Sequence, residues 1–147
     1  MREVLTADPV EARTSLPAAC NFLVNSVRRR ALVFLLSDFL DTDLGKPLAT
    51  LGRKHETIAL HLTDPLESEL PDVGKVVFRD RETGHRTIVN TSNSNVRMAY
   101  RKLTRRYREG MKRQFTRYGI SHATLSTTGD YLPVLHRLLK RHTSAKP

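Results

Sequence analysis

Three short apolar runs in this chain end in a hydroxyl beside a carboxylate: Ser37 with Asp38, Thr63 with Asp64, and Thr127 and Thr128 with Asp130. Asp41 follows closely on the first. Such oxygen-rich ends can hold a polar group of a partner, and the same residue types also cap helices and close turns. Both readings apply to Ser37, Asp41, Asp64 and Asp130, which are the partner-binding candidates. Other chemistries find less support. The six histidines (His55, His61, His85, His122, His136 and His142) show neither zinc-ligand spacing nor a His-Glu-x-x-His motif. The seven glycines form no phosphate-cradling loop and no dinucleotide fingerprint. Ser37 lacks the flanking glycines of a nucleophile elbow. Cys20, the single cysteine, falls on an apolar helical stripe, where a thiol packs rather than attacks. The residues point to a binding module and not to an enzyme.

Charge is the second feature with chemical content. The formal net charge is +10, and nine Lys/Arg residues against the single acid Glu109 fall between Arg97 and Arg117. Apart from Arg28-Arg29-Arg30 the remainder is nearly balanced. A basic helix attracts phosphates or acidic surfaces in a salt-dependent way, or simply forms a solvated outer face. Arg101, Arg105, Arg108 and Lys112 are expected on that outer face, with Tyr100, Leu103, Tyr107 and Met111 toward the interior. Nucleic-acid binding through residues 97–117 is the alternative reading. It needs exposed aromatics for stacking, whereas Tyr100, Tyr107, Phe115 and Tyr118 fall on the apolar stripe.

The elements that position these residues follow from periodicity. Leu16, Ala19, Cys20, Leu23 and Val27 recur at helical spacing behind Thr14 and Ser15 as caps. Ala31 to Leu36 is an unbroken apolar run that suits a strand covered on both faces. A short helix from Asp43 to Lys54 and a second strand from Thr57 to Leu62 come next. Lys75–Phe78 and Thr87–Val89 flank a glycine-containing turn and read as a β-hairpin. A long helix spans about Ser94 to Tyr118, with Gly119 as its C-terminal cap. A third strand, Ser121 to Leu125, leads into a last helix carrying Tyr131, Leu135, Leu138 and Leu139. Alternating helices and strands imply an α/β layer fold with parallel strands, whose ligands gather beyond the strands' carboxyl ends. One domain over residues 1–142 with a disordered tail at 143–147 is expected. No run approaches the roughly 18–20 apolar residues of a membrane span. With one cysteine and no basic-then-apolar start, a cytoplasmic setting is expected.

Several motifs in fixed order carry a family resemblance: Arg28 to Asp41, Arg53-Lys-His55, Asp64-Pro65, Glu69-Leu-Pro-Asp-Val-Gly74, Glu82-Thr-Gly84, Tyr100, Gly119-Ile120 and Asp130-Tyr131. Together they resemble the bacterial family called domain of unknown function 58, over roughly Thr6 to Arg141. The resemblance implies a von Willebrand factor A-like, Rossmann-type three-layer sandwich. It also implies a protein partner, with a MoxR-type AAA+ ATPase as the candidate, and a role in assembly or maturation of other proteins. In an intact domain it implies Mg²⁺, with Thr14 and Asp38 matching two of the ligand positions. The Asp-x-Ser-x-Ser loop that would complete the site is absent from this chain. The implied fold is therefore an incomplete sandwich of three parallel strands plus a β-hairpin, with no cofactor of its own. The strand neighbouring Ala31–Leu36 would be missing, and an open strand edge recruits another strand. A homo-oligomer through residues 31–36 is the resulting expectation.

Overall fold

The computed structural model describes residues 15–40, 44–79 and 84–144. Ser15 opens helix α1 (Leu16–Ser26) by accepting the Ala18 N–H on its hydroxyl, and Pro17 sits in the first turn, where its missing N–H costs nothing. Strand β1 (Leu32–Ser37), helix α2 (Gly45–Lys54) and strand β2 (Glu56–Thr63) follow. A single 3-10 turn, Pro65–Glu67, leads to the antiparallel hairpin β3 (Lys75–Arg79) and β4 (Arg86–Asn90). The chain closes with helix α3 (Ser94–Arg117), strand β5 (Ser121–Ser126) and helix α4 (Leu132–Ser144). The last helix thus runs two residues into the segment read as a tail.

β1, β2 and β5 form a parallel sheet in the order β1-β2-β5. β2 is central and nearly all buried. On one face Leu35 and Ala59 pack with Cys20 of α1, Leu48 and Leu51 of α2, and Met111 and Phe115 of α3. On the other face Ile58, Leu60 and Leu125 meet Leu138 of α4. This is an α/β three-layer arrangement with three parallel strands and a separate hairpin, as the alternation of periods predicts. Cys20 is fully buried, and burial pushes its thiol up from the ordinary value, which keeps it protonated and inert. His55, also buried, joins the end of α2 to the start of β1: its Nδ1 accepts the Ala31 N–H at 3.3 Å.

Two expectations are corrected here. β1 is not covered on both faces: α4 lies over β2 and β5, so Leu32, Phe34 and Leu36 stay 49%, 45% and 60% exposed. The inner and outer faces of α3 are also less cleanly divided than the periodicity implies. Met111 is buried and Arg101, Arg105 and Lys112 are exposed, but Leu103 is 66% exposed, Tyr107 is only partly covered and Arg108 is half-buried. Length explains the difference. The 24 residues of α3 span ~36 Å. The six-residue strands β1 and β5 span only ~20 Å. α3 turns through Gly119 directly into β5, so its C-terminal half lies on the sheet and its N-terminal half overhangs the strands' carboxyl ends. That turn is a Schellman closure: Ile120 N–H donates to Phe115 O at 2.9 Å, Gly119 N–H to Thr116 O at 3.2 Å, and Gly119 has φ 67°. No helix among the described residues is long and apolar enough to cross a membrane.

Candidate functional site

The overhang of α3 makes a cleft. Its floor is the end of β1 and the loop beyond it, then β2 and the 3-10 turn; its wall is the middle of α3. The lining residues are Asp38, Leu40, His61, Glu67, Leu103, Thr104, Tyr107 and Arg108, around a cavity of about 300 Å³. It sits beyond the carboxyl ends of parallel strands, where open α/β sheets collect ligands.

The loop after β1 is held in an unusual shape. Phe39 has φ 55°, a left-handed conformation that costs a residue with a Cβ roughly 1–2 kcal/mol. Three contacts hold it there. The Phe39 N–H donates to Ser37 Oγ at 2.9 Å, the Tyr107 hydroxyl donates to Phe39 O, and the ring packs edge-on against Phe115 at 5.0 Å. With Phe39 turned inward, Asp38 and Leu40 are left exposed at the cleft. Asp38 Oδ1 accepts from Ser37 Oγ at 3.3 Å and from the Leu40 N–H at 3.2 Å.

His61 reaches the same place from β2, where the parallel register sets it against Ser37. It is buried, its ring stands edge-on to Phe39 at 6.0 Å, and it is hydrogen-bonded to the Asp38 main chain. Burial pushes its imidazole below the ordinary value and Arg108 adds to this, while Glu67 and Asp38 pull the other way. Because the folded value is depressed, the unfolded chain takes the proton first as pH falls. The stability His61 contributes is therefore present above about pH 6.5 and is lost as pH falls through the lower folded value. Comparing urea midpoints at neutral and mildly acid pH, His61→Gln should show a smaller acid loss than the native chain. An equal loss in both would mean that His61 does not carry this dependence.

Arg108 is the cleft's unspent charge. Among the described residues the α3 ion pairs are Arg97–Asp72 at 3.1 Å, Arg101–Glu69 at 3.3 Å and Arg105–Glu109 at 2.9 Å. Arg108 has no such carboxylate, although it is half-buried. The neighbouring polar groups are already committed. Thr104 Oγ1 donates to Arg101 O at 3.1 Å, Tyr100 Oη donates to Glu67 O at 3.1 Å, and Glu67 Oε2 accepts the Asp64 N–H at 3.3 Å.

The strand-end carboxylates Asp38, Asp64 and Asp130 do not share one site. Asp38 enters the cleft, but Asp64 and Asp130 do not line it. Asp64 caps the 3-10 turn through the Leu66 N–H at 2.8 Å and accepts from Thr127 Oγ1 at 3.0 Å, tying the end of β2 to that of β5. Asp130 caps α4 through the Leu132 N–H at 3.0 Å. Capping is what both do here. Thr14 and Asp41 lie outside the described residues. His61, Glu67 and the inward turn of Arg108 were missed by sequence reasoning. One signal was present: a histidine interrupts the apolar run of the central strand and must find a partner there.

The described residues of the cleft do not fit a hard divalent cation. Mg²⁺ wants about six oxygen ligands in octahedral array. Asp38 already accepts two hydrogen bonds on Oδ1, and the described residues bring no group of three His, Cys, Asp or Glu side chains together that could hold a metal.

Comparison with known proteins gives the family. The uncharacterized protein MAV169 of Mycobacterium avium is 33% identical over 133 residues, covering 90% of this chain and 78% of that protein. The uncharacterized proteins Mb1516 of Mycobacterium bovis and Rv1480 of Mycobacterium tuberculosis are each 39% identical over 77 residues, covering 52% of this chain. The matched segment is 24% of the length of each of these two proteins. No solved structure matches the chain. The family model described as Protein of unknown function DUF58 matches residues 1–110, and the chain belongs to that family.

Proposed function

We propose that this chain is a non-enzymatic protein-interaction module of the von Willebrand factor A-like type, which acts with a MoxR-type AAA+ ATPase in the assembly or maturation of other proteins. The observation that carries the reading is the cleft under α3, lined by the half-buried Arg108, which has no ion-pair partner among the described residues. An unpaired guanidinium is matched best by a carboxylate, which it binds through two parallel N–H···O contacts. Leu40 and Leu103 beside it offer apolar surface to the body of the same side chain. An acidic residue of a partner, flanked by apolar ones, fits this combination. His61 and Thr104 spend their hydrogen bonds on main-chain carbonyls, which suits positioning better than proton transfer.

The test measures binding to a purified MoxR-type AAA+ ATPase from the same genome. Arg108→Glu should weaken it at least about tenfold, the loss expected when a buried charge pair becomes a repulsion. Arg137→Glu, on α4 across the sheet, should leave it within about twofold, as expected of a surface charge away from the contact. Equal binding by both variants, or no binding by the native chain, would refute the reading.

The nucleic-acid reading keeps one observation in its favour. Lys102, Arg106, Arg113 and Arg117 form an exposed stripe on the outer side of α3 with no acidic partner among the described residues. Against it, Phe115 is buried and the Tyr100 and Tyr107 hydroxyls are tied to main-chain carbonyls, so these rings are poorly placed to stack on bases. Mobility shift across a salt series decides it. Retention of DNA or RNA above about 150 mM salt would favour this reading over the first.

A further inference from the structure

Beside the cleft, across Tyr107, a second cavity of about 430 Å³ opens between α2 and α3. Its floor belongs to the core: Phe39, Leu44, Leu48 and Met111 are all buried. Tyr107 adds the flank of its ring, since its hydroxyl is bound to Phe39 O. Two exposed polar side chains of α3, Arg106 and Gln114, complete the rim. Arg106 has no carboxylate partner among the described residues.

Glycines line the cavity from both helices, Gly45 at the start of α2 and Gly110 in the interior of α3. Gly110 is the one that the fold does not explain. Helix interiors disfavour glycine. Packing does not demand it here, because a Cβ would meet nothing nearer than Arg113 Nη2 at 3.9 Å. Gly52 differs, since Tyr118 O stands 2.6 Å from where its Cβ would be. What Gly110 preserves is the space itself, and glycine is the residue that lets a ligand come close to a helix backbone.

We propose that this cavity binds a small amphipathic carboxylate, its anionic end at Arg106 and its apolar body over Leu48 and Met111, past Gly110. Size, length and charge select the occupant. At the packing density of a protein interior the cavity holds roughly fifteen non-hydrogen atoms, more than any one side chain of a partner carries. A free small molecule therefore suits it better than an inserted residue. Arg106 and Gln114 lie ~12 Å apart along α3, the reach of an extended chain of about ten carbons. The buried floor between them matches an apolar body. One unpartnered guanidinium matches one negative charge, which favours a carboxylate held through paired N–H···O contacts over a doubly charged phosphate ester.

Decanoate is the probe, titrated below its micellar range into the full chain and followed by amide NMR. The Leu48, Gly110 and Met111 signals should move with a dissociation constant below about 1 mM, which a ligand of this size permits. Gly110→Leu puts a side chain into the cavity and should weaken binding at least about tenfold. Its urea midpoint should stay at or above that of the native chain, because leucine suits a helix better than glycine. Arg106→Gln should weaken binding about fivefold, while Arg137→Gln, on α4 across the sheet, should leave it within about twofold. The exposed side chains of β1 are the competing site for an apolar probe. Shifts centred on Leu32 and Phe34, or Gly110→Leu binding as tightly as the native chain, would overturn the proposal. So would the absence of any shift up to about 5 mM decanoate. An Arg106→Gln variant that loses nothing would overturn the assignment of an anion.

Discussion

Replacing Phe115 by alanine is expected to remove about 3–5 kcal/mol of stability, a large share of the ~5–15 kcal/mol that holds a domain of this size folded. Phe115 is 1% exposed and lies where three elements meet. From α3 its ring packs edge-on to Phe39 of the β1 loop at 5.0 Å and lies tilted against His122 of β5 at 5.4 Å. Its carbonyl closes the α3 cap by accepting the Ile120 N–H. Truncation leaves a cavity where backbone elements on every side limit collapse. It also frees Phe39, whose left-handed backbone persists only because its surroundings hold it. Phe115→Leu should cost roughly half as much, because most of the volume is kept. The measurement is the urea midpoint, with an unchanged slope showing that the unfolded state is not what moved. A loss below about 1 kcal/mol for the alanine variant would mean that the three elements do not depend on this contact.

How much of this was legible in the sequence depends on the range of the interaction involved. Local signals read well. Gly119 closes α3 and Ser15 caps α1 because caps are set within one turn. The strands at 32–37, 56–63 and 121–126 differ from their periodicity-based bounds by a residue or so at the ends. The cleft was only half legible. That a site belongs beyond the strands' carboxyl ends follows from the order of elements, and Asp38 does lie there. Asp64 and Asp130 act as caps, as their residue type and their place at element ends suggest. His61 joins Asp38 only through the lateral register of β1 with β2, which no spacing within one segment encodes. Arg108 lies three residues before Met111 and seven before Phe115, both buried, so it sits on the flank of the buried stripe. Its inward turn needed the length mismatch between α3 and the strands, which appears only once the two are packed.

The second large effect contrasts two glycines that a helix-propensity argument treats alike. Gly52 lies inside α2 and Gly110 inside α3, and alanine in a helix interior is ordinarily favoured over glycine by about 1 kcal/mol. A Cβ on Gly52 would sit 2.6 Å from Tyr118 O and 3.0 Å from Ile120 Cγ1. The obstacle is backbone, and it belongs to the Schellman turn, where the Tyr118, Gly119 and Ile120 N–H groups all donate back into α3. That turn cannot yield without breaking its own bonds, so α2 must move off the sheet or the turn must open. Overpacking of this kind costs about 1–3 kcal/mol and outweighs the propensity gain. A Cβ on Gly110 meets only the far end of the Arg113 side chain, at 3.9 Å, which can swing away. Gly110→Ala should therefore raise stability by about 0.5–1 kcal/mol, or about 2 °C in Tm, while Gly52→Ala lowers Tm by several degrees. Thermal unfolding of the two single variants beside the native chain decides the matter. Shifts of the same sign would show that α2 does not pack against the turn after α3 as closely as 2.6 Å implies.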